Sequence, residues 1–474
     1  MDISGFEVNL DVFHEYAGQA LPRHVAYPMP TWWTDLSDAE STALLRESRV
    51  CVPHNDLSLY LHVPFCEKVC RYCACNRAPQ PRNTRQADER IDGYVAAMIA
   101  EIGHLTDVLE ARQRVRQIHW GGGTPTYLSS DRLASIHDTI AERFDVKGDA
   151  GISIELDPRV TTTDTLQVLR RLGFDRVSLG VQDFDQRVQE HVGRIQPFEL
   201  VRDMVGTCRE LGFSSINFDL IYGLPLQTID SIRDTLEKTI DLSPDRIAYY
   251  HFAQIPDKVA IQRGLDYSKL PDSETKLRMF LIALRMFTSA GYEFIGLDHF
   301  AKPDEPLAVA AREGTLQRNF QGMTTGGGLD LIGVGASSIS HLAQLGFLQN
   351  VHGVKEYTTR VSSGDSPIFR GKRFTADDLV RQAVLAELYC HAGIRPSNVE
   401  QAYGITFAQY FARELKIMHE LERDGLVNVG ADNHISLTMP LGHVLTRTVA
   451  AVFDAYLEPD AYRAGDREYF SANA

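Results

Sequence analysis

Cys66-Glu67-Lys68-Val69-Cys70-Arg71-Tyr72-Cys73-Ala74-Cys75 follows directly on the apolar, strand-like stretch Leu57 to Phe65 and holds four of the chain's seven cysteines. Thiols spaced C-x3-C-x2-C can take three corners of one compact iron–sulfur cube, leaving the fourth iron without a protein ligand and open to a small molecule. S-adenosylmethionine (SAM), with an amino and a carboxylate group to chelate a vacant iron, suits that position. The competing reading is a structural zinc site. Zinc usually draws two C-x2-C knuckles from separate segments, and here Cys51, Cys208 and Cys390 stand alone. The spacing therefore favours the cluster, with zinc as the minor alternative. Disulfides are not expected. The chain shows no signal-peptide core after Met1 and no uninterrupted apolar run of membrane-span length, which points to a reducing cytoplasm.

The chain has 474 residues, of which 44% are hydrophobic and 23% charged, enough for one large domain and a smaller one. Its net charge of −15 supplies no global field for nucleic acid, and no dense basic stripe interleaved with aromatics is present. Any anionic substrate must be held by local arginines. No low-complexity segment, tandem repeat or lipid-attachment motif appears.

Outward from the cysteine run, short apolar runs alternate with amphipathic segments as far as about Gly291, the pattern of successive βα units in a parallel sheet. The predicted strands are Ser58 to Pro64, Gln117 to Gly121, Ile152 to Leu156, Arg176 to Val181, Ser215 to Ile221 and Arg246 to His251. Helical patterns intervene at Ile91 to Leu105, Arg132 to Phe144, Asp164 to Leu172, Leu200 to Leu211, Ile229 to Leu242 and Glu274 to Ala290. Ser129 or Ser130, Thr163, and Asp272 or Ser273 fit as N-caps, and Gly173, Gly212 and Gly291 as helix exits. Six units fall short of the eight of a closed TIM barrel, so the expected fold is α/β, an open partial (β/α)6 barrel whose open side admits a large substrate. The cysteine run, Gly121 to Thr124, Glu155 and Gln182 all fall at or just beyond strand ends, where such folds place their chemistry.

Residues 1–45, with Pro22, Pro28, Pro30 and Trp32-Trp33, read as an irregular arm over the site. The barrel is expected over 46–367 and includes, from about Asp298 to Leu345, a Gly-rich substrate loop and a late strand. Residues 368–474 read as a small, mainly helical, winged-helix-like domain, with Thr375 as an N-cap and a hairpin from Val427 to Leu437. It carries no basic recognition helix.

The motifs resemble those of radical SAM enzymes, and within them of the oxygen-independent coproporphyrinogen III oxidases of haem biosynthesis. The resemblance is carried by His119-Trp120-Gly121-Gly122-Gly123-Thr124-Pro125-Thr126-Tyr127, Gly180-Val181-Gln182-Asp183-Phe184, Asp219-Leu220-Ile221-Tyr222-Gly223-Leu224-Pro225, Asp298-His299-Phe300 and Arg318-Asn319-Phe320-Gln321-Gly322. The cysteine motif alone indicates only the superfamily; the combination is more specific. The resemblance implies one 4Fe-4S cluster on Cys66, Cys70 and Cys73, and a 5′-deoxyadenosyl radical made from SAM. That radical takes a hydrogen beta to a propionate carboxylate of coproporphyrinogen III; loss of carbon dioxide and one electron leaves a vinyl. Two propionates react in turn to give protoporphyrinogen IX.

The resemblance also implies site residues. Tyr60, Tyr72, Gly122, Gly123, Thr124, Glu155, Gln182, Arg194, Asp219, Ala253 and Ile339 match SAM-binding positions, Ile339 beside a second SAM molecule. Packing is the competing reading for Tyr60, Tyr72, Ala253 and Ile339, and an ordinary salt bridge or strand cap for the charged residues. Cys75 is a fourth cysteine associated with activity without ligating the cluster. Arg318, Arg312 and Arg23 are candidates for the propionates, because guanidinium binds carboxylate bidentately. The expected partners are the porphyrinogen, a flavodoxin- or ferredoxin-like electron donor and an unidentified final acceptor, with no nucleic acid and a monomeric chain.

Two stretches depart from the family pattern. His24-Val25-Ala26 stands where Tyr-Thr-Ser is typical, and Met323 where tyrosine is common, which bears on the substrate and not on the radical machinery. The alternatives weighed are a haem chaperone of a related branch, disfavoured by Cys75 and by the loop Arg318 to Met323, and a radical SAM methyl or methylene transferase.

Overall fold

A computed structural model describes residues 2–3, 5–51, 56–81, 84–458 and 463. Six parallel strands form its heart: β1 (Leu57–Val63), β2 (Arg114–Gly122), β3 (Asp145–Leu156), β4 (Arg176–Gln182), β5 (Ser215–Tyr222) and β6 (Arg246–His251). They lie side by side in chain order, each paired in parallel with the next. Helices Arg85–Val108, Ser130–Arg143, Thr163–Arg171, Phe198–Glu210 and Ile229–Leu242 connect them. The expected (β/α)6 partial barrel is the observed core.

The helix boundaries follow local chemistry. Ser129 and Asp272 each accept a backbone N–H of the first turn through the side chain, and Thr228 and Ser231 form a reciprocal capping box. The N-cap expected at Thr163 is instead Thr162, whose side chain takes Thr165 N–H. A threonine pair leaves that choice to the direction of chain entry.

The sheet does not stop at six strands. Beyond β6 it continues antiparallel through β7 (Glu293–Gly296) and β8 (His299–Ala301), with β8 pairing directly to β6. Beyond β1 lies a seventh parallel strand, β9 (Asp330–Val334), followed by antiparallel β10 (Ile339–Leu342), β11 (Gly346–Asn350) and β12 (Ile368–Arg373). Thr34–Asp35 from the N-terminal segment completes a sheet of thirteen strands among the described residues. β12 thus carries the sheet past residue 367. The first 45 residues include helix Leu10–Ala17 and the start of helix Asp38–Cys51 beside irregular stretches.

The C-terminal part is helical. Helix Ala376–His391 opens on a Thr375/Asp378 capping box, and Phe407, Phe411, Met418 and Leu421 bury its companions' apolar faces. The expected hairpin pairs Val427–Val429 with Ile435–Leu437, and Gly393–Ile394 adds a third strand.

Inside the barrel the strands alternate in a way that positions the site. Along β4, Val177, Leu179 and Val181 are buried, while Arg176, Ser178, Gly180 and Gln182 line an internal cavity. Along β5, Ile216, Phe218 and Leu220 are buried, while Ser215, Asn217, Asp219 and Ile221 line the same cavity. Parallel strands packed on both faces are usually apolar throughout. Here one face packs on the helices and the other, with these polar side chains, borders a hollow of about 630 Å³.

Candidate active site

The cysteine loop sits at the C-terminal rim of this hollow. Cys66, Cys70, Tyr72, Cys73 and Cys75 all line it, together with Gly122, Gly123, Thr124, Glu155, Gln182, Arg194, Asp219, Ala253 and Arg318. All four thiols are free. Thr124 lies with its hydroxyl 3.6 Å from Cys66 Sγ, and the guanidinium groups of Arg159 and Arg194 each come within 3.6 Å of Cys70 Sγ. Burial pushes the Cys66 thiol up to about 11. The Cys73 thiol is held below its ordinary value, first by the S–H of Cys75 and then by Arg77 and Arg194.

This donor set fits an iron–sulfur cluster. Three thiols from one loop converge on a cavity, with fixed cations beside them to balance anionic sulfur ligands. Among the described residues no three His, Cys, Asp or Glu side chains are gathered as a single metal ion requires. The thiols border a larger space instead.

Arg194 is fixed from several sides. Its Nη2 donates to Gly180 O at 2.5 Å, and Nη1 lies 3.4 Å from Asp157 Oδ2. Asp157 also takes a forked pair of bonds from Arg159, at 2.6 Å and 3.0 Å. Burial alone would raise the Asp157 carboxyl, but Arg194 and Arg159 outweigh it and hold the group at about 2. The sequence reading missed Asp157, Arg159 and Gln262. The first two follow β3 in Leu156-Asp157-Pro158-Arg159, a strand-end position that could have flagged them. Gln262 is fully buried and donates to Tyr72 O and Ala253 O at 2.9 and 3.0 Å, joining the cysteine loop to the segment after β6. No local signal marks it.

Gly122 and Gly123 have a packing explanation. Gly122 has φ +117°, and a Cβ there would come within 2.8 Å of the His62 ring. A Cβ on Gly123 would meet Pro64 O at 2.5 Å. The absent side chains let the end of β2 press onto the turn that leads into the cysteines. Gln182, the last residue of β4, is also held at positive φ, +68°. Strain of this kind persists where surrounding structure over-determines it.

A polar ladder crosses the sheet below the rim. Glu155 accepts Gly122 N–H at 3.2 Å, and one of its oxygens lies 3.5 Å from His119 Nε2. Asp219 accepts from Ser178 Oγ at 2.8 Å and Asn217 Nδ2 at 3.0 Å. Burial, and then the nearby Glu155 charge, push the Asp219 carboxyl up to about 6.

The facing wall draws on distant segments. Asp298 pairs with Arg23, and burial of its carboxyl is outweighed by Arg23 and His299, which hold it well below the usual range. His24, where the family pattern has a hydroxyl residue, is buried with its ring nitrogens 3.0 Å from Tyr389 Oη and 3.0 Å from Asp454 Oδ2. Arg318 donates to Arg23 O at 2.9 Å and His24 O at 2.8 Å and lies over the Tyr389 ring. Val25 and Met323 line the main cavity.

Three sequence candidates do not line the cavity itself. Tyr60 stands beside the lining, its ring stacked on His119 and its hydroxyl 3.0 Å from His62 Nδ1. Ile339 is buried behind the arm with Ala26, Trp33 and Phe347. Arg312 is at the surface, with a forked pair of bonds to Glu293 at 2.6 and 2.7 Å.

The Radical SAM superfamily model matches residues 60–239. The chain is 41% identical to the oxygen-independent coproporphyrinogen III oxidase of Salmonella typhimurium over 448 residues, covering 94% of this chain and 95% of the relative. It is 40% identical to the Pseudomonas aeruginosa protein of the same description, covering 92% and 93%. Among solved structures, the radical SAM enzyme coproporphyrinogen III oxidase from Escherichia coli superposes with a TM-score of 0.87 at 38% identity, covering 96% of this chain and all of that one.

Proposed function

Because the chain belongs to the oxygen-independent coproporphyrinogen III oxidases of the radical SAM superfamily, we propose that it oxidatively decarboxylates two propionates of coproporphyrinogen III to vinyl groups, giving protoporphyrinogen IX in haem biosynthesis. The observation that carries the reading is the convergence on one cavity of three free thiols from a ten-residue loop with Glu155, Gln182, Arg194, Asp219 and Arg318.

Cys66, Cys70 and Cys73 would hold the 4Fe-4S cluster. When bound, it supplies the electron that splits SAM into methionine and the radical that takes the substrate hydrogen. The chain's own residues bind and orient. Arg194 presents fixed positive charge for the SAM carboxylate, and Glu155, Gln182 and Asp219 offer acceptors for its ammonium and ribose hydroxyls. Tyr72 and Ala253, joined through Gln262, shape the adenine side. Arg23 and Arg318 face the propionates, and Cys75 stands at the rim beside Cys73. A second SAM molecule is assigned to the space beside Ile339, where the adjoining cavity of about 350 Å³ shares Ala26, Phe320 and Phe347 with the residues packed against it. The electron donor is a low-potential flavodoxin- or ferredoxin-like protein, and the chain acts as a monomer. Among the described residues no helix is long and apolar enough to cross a membrane.

The test is an anaerobic assay of reconstituted protein with dithionite, SAM and coproporphyrinogen III, following 5′-deoxyadenosine and porphyrin masses. Stepwise loss of two carboxyl groups, abolished together with cluster absorbance by Cys66→Ala, is expected. SAM cleavage with an unchanged porphyrinogen would defeat the substrate assignment.

A further inference from the structure

The cavity does not end at the rim. It extends down the barrel to the opposite ends of the strands, where Arg176, Ser215 and Arg246, the first residues of β4, β5 and β6, all line it. β5 runs between the two arginine-bearing strands, with Ser215 in register with Arg176 and Asn217 with Arg246. Arg176 lies six residues below Gln182, roughly 20 Å at about 3.3 Å per residue. The SAM and cluster residues at the rim do not account for two arginines there.

Their charge is under-compensated. Glu305 pairs with Arg246, but its capacity is shared, since it also accepts Ser215 Oγ at 3.3 Å and Leu307 N–H at 2.8 Å. Asp175 adds an attraction to Arg246, while its Oδ1 is bonded to Ile152 N–H at 2.7 Å. Arg176 Nε and Arg246 Nη2 are buried and have no hydrogen-bond partner among the described residues. A guanidinium N–H buried without a partner is costly unless something satisfies it. The hydroxyls of Ser178 and Ser215 and the amide of Asn217 line the same stretch of cavity. Guanidinium forks match a carboxylate in geometry as well as charge.

We propose that Arg176 and Arg246 form a carboxylate subsite that grips a propionate the reaction leaves intact, anchoring the macrocycle from the end of the cavity remote from the radical. This rests on the porphyrinogen reading above. A macrocycle with four radiating carboxylates can place one at each end of a single elongated cavity. The lower contact then fixes which propionate lies at the rim.

The test uses the full-length reconstituted protein, with coproporphyrin III, the stable oxidised tetracarboxylate, as a fluorescence binding probe and its tetramethyl ester as the uncharged control. Arg176→Gln and Arg246→Gln are each expected to weaken coproporphyrin III binding and raise KM for the porphyrinogen by about tenfold or more. Binding of the ester and substrate-free SAM cleavage should change little; the thermal midpoint should hold in Arg176→Gln and fall in Arg246→Gln, which takes the ion-pair partner from buried Glu305. If either substitution prevents folding, Arg176→Lys, which keeps the charge and loses the fork, should still show a several-fold loss. Wild-type-like binding and KM in soluble variants would overturn the subsite while leaving the oxidase reading intact. An equal loss for the ester would also overturn it, by showing that shape and not charge is read. If the wild-type protein ignores coproporphyrinogen III altogether, the oxidase reading falls and takes the subsite with it.

Discussion

The two walls of the cavity are built on different principles. The cysteine wall comes from one continuous stretch between β1 and the segment after β6, and its side chains lie on the parallel strands or in the segments that follow their C-terminal ends. Backbone hydrogen bonds of the sheet hold those positions, and the ion pairs of Arg194, Asp157 and Arg159 stiffen them. The facing wall gathers Arg23, His24, Arg318, Tyr389 and Asp454 from the N-terminal arm, a hairpin, a helix and the C-terminal segment. Side-chain hydrogen bonds, an ion pair and stacking hold it together, each worth only about 1 kcal/mol net. SAM cleavage is therefore assigned to the rigid wall, and contact with the reacting propionates to the adaptable one. The departures from the family pattern at His24, Val25, Ala26 and Met323 all fall on the adaptable side.

The largest effect should come from the rigid wall. Arg194→Met leaves the buried Asp157 with only Arg159, and breaking a buried pair costs about 3–5 kcal/mol. Thermal melting should show that loss, and SAM cleavage should fail with it. Asp157 ionises at about 2 in the fold, below its unfolded value of 3.8, so it stabilises the protein above that unfolded value and loses the contribution as pH falls through about 2. In the variant the acid-unfolding midpoint should move to higher pH; an unmoved midpoint would show that Arg159 alone carries Asp157.

A smaller effect is expected on the adaptable wall. His24→Gln cannot span Tyr389 and Asp454 as the imidazole does, and the buried Asp454 Oδ2 left without its partner costs about 1–3 kcal/mol, its other oxygen still accepting Tyr456 N–H. The KM for porphyrinogen should rise while substrate-free SAM cleavage keeps its rate. Equal losses in both would show that the walls are not independent.

Asp219→Asn should act in the opposite sense on stability. Because burial raises the folded carboxyl to about 6 from 3.8, the native state binds the proton more tightly, and stability falls as pH rises between those values. The variant should melt above wild type at about pH 7.5, and the gap should close towards about pH 4. SAM affinity should drop across the whole range. A gap independent of pH would sink this account.

The smallest effect belongs to Arg312→Ala. Its exposed pair with Glu293 is worth about 0–1 kcal/mol, and turnover should be unchanged. A raised KM would return Arg312 to the list of propionate ligands and enlarge the adaptable wall.

Much of the rigid wall was legible because its information is local. A C-x3-C-x2-C run after an apolar strand, glycines at the end of β2, and capped amphipathic helices between strands all act over a few residues. One local signal went unread: polar residues alternate with apolar ones in Arg176-Val177-Ser178-Leu179-Gly180-Val181-Gln182 and in Ser215-Ile216-Asn217-Phe218-Asp219-Leu220. That period of two in parallel strands names the hollow interior and Arg176 at its lower end. Arg312, paired with Glu293 at the surface, shows the converse limit, because sequence position does not say which side of a neighbouring element a side chain faces.

By itself the sequence determined the parallel core, the cysteine loop and the residues at the strand ends, because strand periodicity, capping and thiol spacing are set by neighbours along the chain. Only the tertiary structure decided that β9 through β12 and Thr34–Asp35 extend the sheet beyond β1. It alone brought Arg23, His24, Arg318, Tyr389 and Asp454 into one wall and Gln262 between Tyr72 and Ala253. Those contacts join residues that are remote along the chain, and their partners are selected by shape and unsatisfied hydrogen bonds that exist only once the barrel has closed around its cavity.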